Sequence, residues 1–175
     1  MAPSSRLKVL ALAMVVIATQ SLGQSRRSRQ MLEQANESLA AGLHNKAVEL
    51  FSAVLDETPD GAEARYRRAV AYSKLGESQK ALDDLSVLLL ANPKHGEALQ
   101  LRGDILLGKD RPANAVESYA RAIQSGVKTA AVFNGRASAY AKLQQWEKAV
   151  ADYSEGIRLR LDNPVAYKDS GIANS

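Results

Sequence analysis

The chain has 175 residues, 46% hydrophobic and 24% charged, a balance that supports an ordinary folded core and excludes a disordered chain. It has no cysteine and two histidines, His44 and His95, which excludes disulfide frameworks, thiolate nucleophiles and cysteine zinc sites and leaves a Ser-His-Asp triad almost nothing to draw on. The formal net charge is +4, but nucleic-acid binding needs a clustered basic face with interleaved aromatics, and the sequence shows neither.

Residues 1–23 read as a targeting segment. Arg6 and Lys8 precede an uncharged apolar run from Val9 to Ala18, followed by a polar stretch with Ser21 and Gly23 placed for cleavage before Gln24. Ten apolar residues rise about 15 Å as a helix, roughly half a bilayer core, so a cleaved secretory signal is expected rather than an anchor. The mature chain is then expected in an exported compartment (periplasmic, extracellular or lumenal) and not spanning a membrane. Losing Arg6 and Lys8 leaves 21 basic against 19 acidic residues, with Arg26, Arg27 and Arg29 in one run. That run suggests a solvated basic spacer, residues 24–27, rather than a phosphate-binding patch.

From Ser28 the sequence repeats. HNKAVELF from His44, SQKALDDL from Ser78, PANAVESY from Pro112 and WEKAVADY from Trp146 align without gaps and start at a constant interval along the chain. One column holds Ala47, Ala81, Ala115 and Ala149; another holds Phe51, Leu85, Tyr119 and Tyr153. Upstream, a small residue recurs at Ala35, Ala69, Gly103 and Ala137, and a second position carries Ser38, Tyr72, Leu106 and Tyr140. The column Met31, Arg65, Leu99 and Phe133 is the least regular. Small residues let helices approach closely, while large ones fill the space between neighbouring pairs. Gly42 and Gly76 suit a turn between two helices, and Pro112 suits a helix start, where its missing N–H costs little. The predicted units, each a helix–turn–helix, are 28–61, 62–95, 96–129 and 130–161. A partial fifth follows at 162–175, with Tyr167 and Gly171 in the large and small columns.

A helix–turn–helix of this period, with these columns, resembles the tetratricopeptide repeat family. The resemblance implies an all-α fold: a right-handed α-solenoid of antiparallel helix pairs, each burying its apolar face on the next. Departures are local: Ser38 replaces the large tyrosine, and Val127 and Leu161 stand where Pro59 and Pro93 close the first two units.

Column membership removes most apparent sites. Asp83 and Asp84 look like paired carboxylates, but neighbours on a helix diverge by about 100°, and a solvated face is expected. His44 shares its column with Ser78, Pro112 and Trp146, and His95 falls in an inter-repeat turn without a partner at metal-ligand spacing. Glu147 and Asp152 are expected on a wet face, Ala149 and Tyr153 in the packing between helices, and Trp146 over the turn. No catalytic, cofactor-binding or metal-binding residue is expected, and no cofactor, small-molecule substrate or nucleic acid.

The resemblance also implies a concave groove lined by the first helices. Its register places Tyr66, Arg67, Val70, Lys74, Gln100, Leu101, Asp104, Asn134, Ser138 and Lys142 there, a mixture suited to a peptide or a protein partner. The two-carboxylate clamp with which some members hold a chaperone's C-terminus maps onto Leu32, Asn36, Arg67, Glu97 and Leu101. Only Asn36 agrees, and Glu97 would repel a carboxylate. YRRAVAYSKLGESQKALDDL and LQLRGDILLG look like segments of lumenal co-chaperones that carry such repeats and a J domain, and that bind unfolded clients through the repeats. No HPD signature occurs in this chain. The reading is a non-catalytic interaction scaffold in an exported compartment. The alternatives are the repeat arm of a larger protein with a catalytic or membrane domain beyond residue 175, a secretory-pathway co-chaperone, and a structural spacer. Ser175 falls inside the expected first helix of unit five, so a longer protein is expected.

Overall fold

The computed structural model describes residues 26–162. The signal segment and, apart from Asp162, the expected fifth unit lie outside the described residues. Within them the fold is an all-α solenoid of eight helices without a strand. The helices are α1 (26–40), α2 (His44–Glu57), α3 (Ala62–Lys74), α4 (Ser78–Ala91), α5 (Gly96–Gly108), α6 (Pro112–Gln124), α7 (Ala130–Lys142) and α8 (Trp146–Asp162). Helix α1 begins at 26, inside the stretch expected as a spacer. Arginine is a good helix former, and Arg27 lies 3.6 Å from Glu57 of α2.

The chain forms two compact units, one reaching to Gly76 and the other starting at Glu77. In the first, α1, α2 and α3 enclose Ala35, Ala47, Phe51, Val54, Leu55, Ala64 and Ala71, with Met31, Leu32 and Leu39 packed against them. In the second, α5 packs on α6, α6 on α7 and α7 on α8, while α5 also touches α7. The alanine column is the seam in both: Ala47, Ala81 and Ala115 are wholly buried and Ala149 is 3% exposed. The small column behaves likewise at Ala35, Ala69 and Ala137.

Two expectations of wet carboxylates fail. Asp84 and Asp152 are each only 6% exposed. The divergence of helical neighbours that separates Asp83 from Asp84 also turns one of them inward. Asp152 lies inward because an arginine of α7 neutralises it. Tyr153 fails in the opposite direction, being 39% exposed on α8.

The turns share one backbone solution. Gly42 and Gly76 adopt φ of 74° and 76°, and their counterparts Asp110 and Gln144 adopt 55° and 58°. Each ends a helix in the left-handed region, and the next amide closes back: Leu43 N–H onto Ser38, Arg111 onto Leu106 and Gln145 onto Tyr140. A side chain there costs about 1–2 kcal/mol, partly offset by the greater freedom that glycine loses on folding. Gln144→Gly is therefore expected to stabilise the chain by about 0.5–1 kcal/mol, read as a higher urea midpoint at unchanged slope. A lower midpoint would show that Gln144 makes contacts that outweigh the strain.

Candidate partner-binding face

The second unit builds a face from α5 and α7 over one aromatic ring. Tyr119 of α6 is 1% exposed. Its Cε1 and Cζ lie 2.7 and 2.9 Å from where a Cβ on Gly103 of α5 would stand. The same atoms lie 3.0 and 2.6 Å from a Cβ built on Gly135 of α7. Real Cβ atoms do not approach so closely, so glycine at both sites lets the two helices close over the ring. The small column supplied Gly103; nothing in the periodicity singled out Gly135.

The ring ends in a polar contact on this face. Tyr119 donates its hydroxyl hydrogen to Asp104 Oδ1 at 2.7 Å. Burial, then the hydrogen bond and charge of Asp104, push the phenol's pKa far above its usual value, so it remains a neutral donor. Burial also raises the pKa of Asp104, and the Tyr119 hydroxyl opposes that shift only in part. The arrangement recurs one repeat further on, where Ser138 Oγ lies 3.0 Å from the Tyr153 hydroxyl. Ser138 donates to the Asn134 carbonyl at 2.9 Å, so Tyr153 is the donor to Ser138.

The ten groove positions therefore divide. On α5, Gln100 and Leu101 are half-buried and Asp104 is exposed. On α7, Asn134 turns its carboxamide towards Gly156 of α8, where a Cβ would meet Oδ1 at 2.3 Å, and Ser138 turns to Tyr153. Lys142 reaches Asp110 at 2.7 Å, and this cation holds the Asp110 carboxyl below the usual carboxylate range. These six residues sit on two helices in contact. The other four lie on α3 in the first unit: Tyr66 and Val70 half-buried, Arg67 and Lys74 exposed. Arg67 Nε bonds Glu63 of its own helix at 2.6 Å.

Sequence reasoning missed Arg136. Its Nε and Nη2 donate to Asp152 Oδ2 and Oδ1, both at 2.7 Å, tying α7 to α8. A signal was present, since Arg68, Arg102 and Arg136 occupy one column of the repeat. Arg68 likewise reaches from α3 to Ser52 of α2 at 3.0 Å in the first unit. His95, read only as a turn residue, caps α5 by accepting the Ala98 N–H at its Nδ1, and Thr129 caps α7 by accepting that of Val132. Among the described residues, no three His, Asp or Glu side chains are grouped to hold a metal ion. No helix there is long and apolar enough to cross a membrane.

A solenoid of short helix pairs with a polar–apolar face of this kind defines a protein-interaction scaffold, and nothing in it points to catalysis. Tetratricopeptide repeat family models match residues 38–105 and 101–164, and the chain belongs to that family. Human Tetratricopeptide repeat protein 13 is 29% identical over 152 residues, covering 80% of this chain and 18% of the relative. DnaJ homolog subfamily C member 3 of Rattus norvegicus is 34% identical over 94 residues, 54% of this chain and 19% of the relative. A tetratricopeptide repeat and J domain-containing co-chaperone of Cryptococcus neoformans is 32% identical over 92 residues, 51% of this chain and 18% of the relative. The chain thus spans about a fifth of these relatives' length. Among solved structures, MamA superposes with a TM-score of 0.73 at 20% identity, covering 78% of this chain and 80% of that one. A thermophilic repeat protein of Thermus thermophilus gives 0.64 at 23% identity, covering 75% and 74%. At such identities the likeness concerns the fold alone.

Proposed function

We propose that the mature chain is an exported scaffold whose α5–α7 face receives a polypeptide segment. The observation that carries this reading is the packing of α5 and α7 over Tyr119, with Gln100, Leu101 and Asp104 presented together. Asp104 Oδ1 is taken by the Tyr119 hydroxyl. Oδ2 carries no hydrogen bond among the described residues and is available to a backbone amide or a basic side chain of the segment. Half-buried Leu101 supplies the apolar contact that gives such a site affinity. Arg67 and Lys74, exposed on α3 in the first unit, are a separate candidate set. Export rests on the residue pattern before Gln24, and mature protein from the exported fraction is expected to begin at Gln24 by N-terminal sequencing.

The test is partner recovery by a tagged full-length chain. Leu101→Glu with Asp104→Lys is expected to reduce recovery of at least one partner about tenfold, and Arg67→Glu with Lys74→Glu tests the first unit's residues separately. Lys94→Glu, in an inter-repeat turn, serves as the control. Equal recovery by all variants would leave a structural spacer as the better reading.

The co-chaperone relatives favour a second reading, in which the same face holds unfolded clients. It predicts that the chain suppresses aggregation of a chemically denatured enzyme, and that Leu101→Glu with Asp104→Lys abolishes the effect. A scaffold for one folded partner predicts no suppression by either form.

A further inference from the structure

Helix α8 presents an apolar stripe to solvent. Trp146, Val150, Tyr153, Ile157 and Leu161 lie between 39% and 75% exposed. Their spacing of three or four residues puts them within one arc of about 80° on the helix. The buried seam of Ala149, Asp152 and Gly156 lies about 110° away, so the stripe is a face of its own and not the margin of that packing. Together the five side chains expose roughly 550 Å², a patch of the size that marks an interaction site. Tyr153 can be covered without stranding its hydroxyl, which already bonds Ser138 at 3.0 Å. Ser154, at the edge of the stripe, likewise has its hydroxyl on the Val150 carbonyl at 2.8 Å.

The order of residues along the stripe points to its occupant, because it reads nearly the same from either end. A bulky residue stands at 146 and at 161, a β-branched one at 150 and at 157, and Tyr153 at the centre. A two-fold axis beside Tyr153 sets Trp146 on Leu161, Val150 on Ile157 and Tyr153 on its own copy. The charges obey the same symmetry. Glu147 and Arg158 lie on one flank of the stripe, towards its opposite ends. Antiparallel helices bring like flanks together, which places each Glu147 within about 3 Å, along the axis, of Arg158 in the second copy. Parallel helices would instead set Arg158 against Arg160 and align the two helix dipoles unfavourably. Arg158 bonds Glu155 of its own helix, an exposed pair that is weak and readily exchanged.

We propose that the chain pairs with a second copy of itself through antiparallel α8 helices. The two stripes together bury about 1,100 Å², the lower end for a specific interface, so the pair forms and separates with concentration. Trp146 and Tyr153 are of the types that most often carry the binding energy at such sites. The pairing does not depend on what the α5–α7 face binds, but it puts two such faces in one assembly.

Sedimentation of the full chain over a concentration series tests the proposal, with far-ultraviolet dichroism as the check on folding. The wild type is expected to pass from monomer to dimer, and Ile157→Asp to weaken the pairing at least tenfold. Glu147→Arg and Arg158→Glu should each weaken it about threefold, because each sets like charges together. An equimolar mixture of these two variants should recover the wild-type constant, since every facing pair is then again of opposite charge. A wild type that stays monomeric at every concentration would overturn the proposal and leave the stripe to residues beyond 162 or to another protein. Dimerisation unchanged by Ile157→Asp would overturn it too, as would a mixture that pairs no more tightly than its components.

Discussion

Tyr119→Ala is expected to cost about 3–5 kcal/mol, among the largest effects of any single change in the second unit. The side chain is 1% exposed, it contacts two neighbouring helices, α5 and α7, and its removal leaves a space bounded by the glycines that admitted it. Those glycines give the complementary test. Gly135→Ala puts a methyl group 2.6 Å from Cζ, and the ring cannot slide away because Gly103 approaches Cε1 and Cζ as well. Overpacking of this kind costs about 1–3 kcal/mol. Combining Gly135→Ala with Tyr119→Leu should cost less than the two added, since the shorter side chain relieves the clash. Tyr119→Phe keeps the ring and removes only the bond to Asp104. It should cost about 1 kcal/mol, because the exposed carboxylate regains water. Urea unfolding measures each of these variants. An unchanged midpoint for Gly135→Ala would mean that the ring is not wedged between helices.

The fold was legible because the repeat is a four-fold reading of one packing problem. Ala47, Ala81, Ala115 and Ala149 can share a column only if four helices meet the same neighbour at the same depth, and all four are buried. The face was less legible, for physical reasons that differ by residue. Asn134 and Ser138 occupy groove positions in the register, yet Gly156 and Tyr153 of α8 draw their side chains inward, a choice between two neighbours that spacing cannot make. Asp152 reads as a surface carboxylate until Arg136, on the preceding helix, is seen to pair with it. The left-handed turns at Asp110 and Gln144 were hidden because the glycine of the first two units is replaced there, by an aspartate that tolerates this conformation and by a glutamine that carries no signature of it. Where one residue type recurs at one place, as arginine does at 68, 102 and 136, the sequence held the signal and composition-based reasoning passed over it.

Arg136→Met is expected to cost about 3 kcal/mol and to loosen α8 before the rest of its unit. Two parallel bonds of 2.7 Å join the guanidinium to Asp152, and the two side chains are only 18% and 9% exposed. Phe133 and Tyr140 flank the cation, their ring centres 5.7 and 5.8 Å from it. The bond to Asp152 raises the arginine's pKa against the opposing effect of burial. On the arginine's side the stabilisation is fully present below its ordinary pKa and is lost only as pH rises past the raised one. The dependence on this pair is unusually heavy because α8 buries little else: Ala149, Asp152 and Gly156 are the buried ones among its described side chains. Removing the cation strands a carboxylate in that narrow seam, whereas removing both charges does not. Arg136→Met with Asp152→Leu should thus recover most of the lost stability, and Arg136→Lys should recover little of it, since an ammonium cannot make the paired bond. Thermal unfolding with hydrogen exchange on α8 distinguishes these cases. If Arg136→Met and the double variant proved equally unstable, the pair would matter for shape alone and not for the buried charge.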